Sequence, residues 1–274
     1  CASSAVARCA MIYPLAVVAV TDPLQLSALE RVDLALASRM LPAEGSTEWI
    51  AAAQRALDGV RQPSAADVTF LASLLRFRGF SVSDEDAAAV FAERPGRLAP
   101  TTQEHRLLRG LAEALRRVRV RAADGLPPDG WFLVELFRTM ALELPRFRNN
   151  DLRRGPPWDA ILHAHHAPAE HVQQLLDQFD VARCYGDAHV VFRPLHPVRQ
   201  AVRMYWRFLQ IAPFPDFNAV IGWLGMNAWL QAKGFPLLPA QPGDARWLVQ
   251  FAGSPPPLRC PPIEARMLAV CNAG

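Results

Sequence analysis

The chain has 274 residues, 51% of them apolar and 20% charged, with a formal net charge of +3. That balance is the one of a soluble globular protein of one to two domains, and it is too mildly basic to argue for a nucleic-acid partner. The five cysteines (Cys1, Cys9, Cys184, Cys260 and Cys271) are scattered, odd in number and form no C-x-x-C pair. A disulfide framework and a structural zinc site are therefore not expected, and a reducing, cytoplasmic compartment is.

Residues 1–22 form an N-terminal segment whose role the chain leaves open. Arg8 followed by Cys9–Val20 loosely imitates a signal peptide, but Pro14 interrupts the apolar run and the basic region is one residue. Met11 is an alternative start. No run reaches the roughly twenty apolar residues of a membrane span, so no membrane partner is expected.

Residues 23–100 read as a helical region. Leu26, Leu29, Val32, Leu36 and Met40 give one amphipathic stretch; Trp49, Ile50, Ala53, Leu57 and Val60 give a second. A third runs from Asp67 to Phe77, and a short fourth from Asp84 to Phe91 follows Ser81-Val82-Ser83, a good helix start. A helix-turn-helix DNA reader would need a basic face here, yet Ser81–Glu93 is acidic.

Arg94–Pro100 reads as a linker into a core spanning residues 101–250. Leu107, Leu108, Leu111, Leu115 and Val118 predict a helix flanked by Arg106, Arg109, Arg116, Arg117, Arg119 and Arg121, a solvated face or else a partner patch. Trp131, Leu133, Leu136, Phe137 and Met140 predict the next helix. Residues 145–152 are a loop rich in Arg, Asn and Asp.

His163, His165, His166 and His171 with Glu170 form a metal-like cluster, but Pro168 breaks the segment and no H-E-x-x-H spacing exists, so surface histidines are expected. His171, Val172, Leu175, Leu176 and Phe179 predict a helix, and Ala188–Phe192 a short strand. The Pro-rich tail, residues 251–274, carries Ser254-Pro255-Pro256-Pro257 as a stiff connector, with a polyproline ligand the weaker alternative, and ends in a helix over Ile263–Val270.

The stretch from Ile211 to Leu238 organises the rest. Val198, Ala201, Val202, Tyr205, Phe208 and Leu209 recur at helical spacing and run into the turn Ala212-Pro213-Phe214-Pro215-Asp216-Phe217-Asn218-Ala219. Ile221, Leu224, Ala228 and Leu230 begin a second helix that stops at Gly234, with Pro236 beyond. Asn218, or Asp216 in competition, is the expected N-cap. A helix whose first amides point into such a loop is suited to anions.

This loop resembles the signature of the Fic (Fido) family, which transfers AMP or a related phosphate-linked group onto a protein hydroxyl. The family pattern is His-Pro-Phe-x-(Asp/Glu)-Gly-Asn-Gly-Arg-x-x-Arg, and the run Ala212–Trp223 aligns with it. The resemblance implies a mainly α fold: a Fido-like helical core with a small β-hairpin flap beside the loop, preceded by the N-terminal helical region. The flap would fall on Pro145–Leu152, with Arg148, Asn149, Asn150 and Asp151 as its candidate residues, and its strand edge could hold a partner's peptide; an ordinary surface loop is the alternative.

The chemistry of the pattern is missing. Ala212 stands at the base histidine, whose role is worth roughly 10²–10⁴ in rate. Phe217 and Ala219 replace the two glycines, and Val220 and Trp223 replace the two phosphate-holding arginines. Asp216 stands at the magnesium position and Asn218 in the anion hole, although both are also ordinary turn and cap residues. The nearest matches to the family's inhibitory segment, Ser81…Glu85-Asp86 and Thr139…Glu143-Leu144, lack its final residue.

The expectation is a catalytically degenerate Fic-like protein, without AMP transfer, that binds or regulates a protein partner. A repurposed transferase or lyase using the same cavity, with Tyr205, Trp206, Phe217 and Trp223 lining it or simply in the core, is the alternative; a toxin–antitoxin partner is another. No catalytic residue and no cofactor are expected. The ligand-loop candidates are Pro213, Phe214, Asp216, Phe217, Asn218, Ala219 and Trp223, with Mg²⁺ on Asp216 and nucleotide expected only if the loop still binds.

Overall fold

A computed structural model describes residues 63–147, 152–159, 166–179, 195–244 and 259–273. Eight α-helices span them: α1 Ala65–Arg78, α2 Asp84–Phe91, α3 Gln103–Ala123, α4 Gly130–Ala141, α5 Val172–Asp177, α6 Pro197–Ile211, α7 Asn218–Ala232 and α8 Pro261–Ala273. Single 3₁₀ turns occupy Pro145–Phe147 and Ala169–His171.

Local chemistry sets the helix starts. Ser64 and Ser83 each build a capping box, accepting from the amides of Asp67 and Asp86 while those carboxylates accept from the serine amides. Thr102 and Asp129 cap α3 and α4. Pro197 opens α6, where its missing N–H is no loss, and the His196 ring accepts from the Val198 amide. Gly79, at φ 103°, ends α1 in the left-handed conformation.

Helix α7 lies at the centre, packing against α6, α3, α1 and α4. Its periodic positions predict one buried face, but the structure buries nearly every residue from Asn218 to Ala228. A helix apolar on all sides has no solvent face to offer, so it is enclosed by its neighbours. Gly222 allows the close crossing with α6: a Cβ there would stand 2.7 Å from the Phe208 ring and 2.8 Å from Tyr205.

Helix α6 is also enclosed, polar residues included. Arg199, Gln200, Arg203 and Gln210 are buried with the apolar face. Arg199 donates to Glu264 of α8 at 2.8 Å, and Glu264 accepts from the Cys260 amide at 2.8 Å, which ties the last helix to the core. Asn227 holds the segment after α7 by accepting from the Leu238 amide at 2.7 Å and donating to the Trp223 carbonyl at 2.9 Å.

The mainly α class and the helical reading of residues 67–77, 84–91, 107–118, 131–140, 198–209 and 221–230 agree with the structure. No strand occurs among the described residues. The proposed flap at Arg148, Asn149, Asn150 and Asp151, the strand at 188–192, residues 1–62 and the Pro-rich run 254–257 lie outside them.

Candidate functional site: the loop between α6 and α7

Helix α6 ends at Ala212, which adopts φ 42° while its amide donates to the Phe208 carbonyl at 2.8 Å. Phe214 then enters the core and stacks on Phe137, centroids 4.2 Å apart. Asn218 ties the turn together. Its Oδ1 accepts from the Phe214 amide at 2.8 Å, and its Nδ2 donates to the Phe214 carbonyl at 2.9 Å and to Asp159 Oδ1 at 2.7 Å.

The N-cap differs from both sequence candidates. It is Phe217, at φ 64°, with no capping side chain of its own, and Asn218 is the first helical residue. Asn218 is engaged by the turn, and Asp216 accepts from the adjacent Phe217 amide at 2.7 Å, so neither is placed to cap the helix amides. A carboxylate from elsewhere substitutes: Asp159 Oδ2 accepts from the Ala219 amide at 3.2 Å. A negative group at a helix N-terminus is favoured by the unpaired amides and the macrodipole. Burial pushes the Asp159 carboxyl above its ordinary range, with Asp216 adding repulsion, and the bonds from Asn218 and Ala219 offset part of this.

Asp216 is 2% exposed and held by two cations. Arg78 Nε, from the end of α1, donates to Oδ1 at 2.8 Å; Arg146 Nη2, from the 3₁₀ turn, reaches Oδ2 at 3.3 Å. The bond to Asp216 in turn raises the Arg78 pKa above its ordinary value. Both carboxylate oxygens thus face guanidiniums, an environment that repels a further cation.

The remaining loop positions are filled. Phe217 is fully buried, stacked on Phe80 at 6.1 Å and edge-on to Phe147 at 6.0 Å, with both arginines over its ring. Val220 is fully buried. Trp223 is 1% exposed, packs between Phe77 and Tyr205, and donates its indole N–H to the Leu238 carbonyl at 2.8 Å. Tyr205 and Trp206 are buried too, so these aromatics belong to the core.

A strap at residues 152–159 crosses the loop. Its Arg153 and Trp158 amides donate to the carbonyls of Pro213 and Pro215 at 2.9 and 2.8 Å. The Arg153 side chain, buried itself, donates to the carbonyls of Ala212 at 2.5 Å, Ile211 at 3.1 Å, Gly155 at 3.0 Å and also Ala167. It answers carbonyls that the end of α6 leaves without helical partners.

Two three-dimensional comparisons carry the arrangement further. The structure superposes on a Fic-domain-containing signaling protein from Bacteroides thetaiotaomicron with TM-score 0.55 at 16% identity, covering 88% of this chain and 91% of that one. The fold is that of a Fic domain. A Fic-1 fragment from C. elegans, residues 134–508, superposes with TM-score 0.59 at 16% identity, covering 91% of this chain and 74% of the fragment. No family model matches the sequence, and no curated protein does.

The arginines of α3 are largely internal partners: Arg119 pairs with Asp67, Arg121 with Asp129, Arg116 with Glu113 and Arg117 with Glu135, while Arg109 lies 3.9 Å from Glu93. Among the described residues no group of three metal-ligating side chains converges; His163 and His165 lie outside them. No helix among the described residues is long and apolar enough to cross a membrane.

Sequence reasoning did not reach Arg78, Arg153 or Asp159, and it placed Arg146 only in the flap segment. Arg78 and Asp216 are 138 positions apart, and no local pattern joins them. The one available hint was stoichiometric: a buried motif Asp stripped of neighbouring arginines requires cations from elsewhere.

Proposed function

We propose that the chain is a catalytically degenerate Fic-fold protein that does not transfer AMP and acts by binding or regulating a protein partner. The observation carrying this reading is the occupancy of the loop by the protein itself. Asp159 takes the Ala219 amide, Phe217 fills the space at the first glycine, and Val220 and Trp223 are buried apolar groups where the pattern calls for phosphate-holding cations. Ala212, at φ 42°, offers no side chain able to accept a proton.

Losing donors aimed at a transferring phosphate typically costs about 3–4 kcal/mol each in the transition state, so the combined losses remove useful turnover. Asp216, neutralised by Arg78 and Arg146, is a poor magnesium ligand on charge alone. No Mg²⁺ or nucleotide is required by this reading.

The test is incubation of the full chain with labelled ATP, UTP, GTP and CDP-choline in the presence of cell lysate. The expected result is no labelled protein. Label that disappears in a folded Asp216→Ala variant would overturn the proposal and favour a repurposed transferase.

A further inference from the structure

We draw no further inference here: the strongest candidate, the exposed apolar patch of Val120, Leu126 and Trp131 at the turn from α3 into α4, carries nothing because nothing in the structure shows what covers it.

Discussion

Phe217 offers a test in which two ordinary rules run against each other. Replacing it by Ala removes a fully buried ring packed against Phe80 and Phe147, a change of the kind that destabilises by about 3–5 kcal/mol. Replacing it by Gly removes the same ring but also relieves the left-handed backbone, φ 64°, which is unfavourable by about 1–2 kcal/mol for a residue with a Cβ. The greater freedom of Gly in the unfolded chain returns about 0.4–1 kcal/mol of that relief. Both variants should therefore be less stable than the parent, with Phe217→Gly the more stable of the two by about 0.5–1 kcal/mol. At most positions in or near a helix the order is the reverse. Urea denaturation with a common m-value measures the difference directly. An Ala variant equal to or more stable than the Gly variant would refute the account of Phe217 as a strained, space-filling cap.

Three further outcomes follow from the same geometry. Arg153→Met should cost about 1–3 kcal/mol, since it leaves buried carbonyls at the end of α6 without their donor; no loss in urea would mean that water replaces the guanidinium. Asp159 has a folded pKa raised by burial, so the native state binds its proton more tightly than the unfolded chain does. Its stabilising contribution is then largest at low pH and falls as pH rises from the ordinary Asp range through the raised value, a slope that Asp159→Asn should abolish; thermal scans of both proteins against pH would contradict this if the parent gained stability, relative to the variant, as pH rises. Asp86 behaves oppositely: Arg97 lowers its pKa to about 2, so its contribution is present above the ordinary Asp range and is lost as pH falls toward 2. Arg97→Gln should flatten the acid limb of the same scan, and an unchanged limb would remove this pair from the account.

The residues that stayed illegible share one property, which is distance along the chain. Asn218 and Asp216 were visible as turn residues, but their partners Asp159, Arg78 and Arg146 come from the strap, the end of α1 and the turn after α4. Periodicity places a side chain on a face of its own helix; it carries no information on which distant group arrives opposite. Arg119 of α3 shows the same limit, because its partner Asp67 lies 52 positions away and no pattern within α3 announces it.

What the sequence determined by itself was local: the helix start at Ser83, the bend between α6 and α7, and side chains other than a base and arginines at Ala212, Val220 and Trp223. Each depends on backbone chemistry or side-chain identity within a few residues. Only the tertiary structure decided that α7 is enclosed on all sides, that Phe217 fills the loop, and that Asp159 caps the helix. These depend on apolar surface and charge meeting across the whole chain, where burial makes an unanswered group costly and so selects the partner.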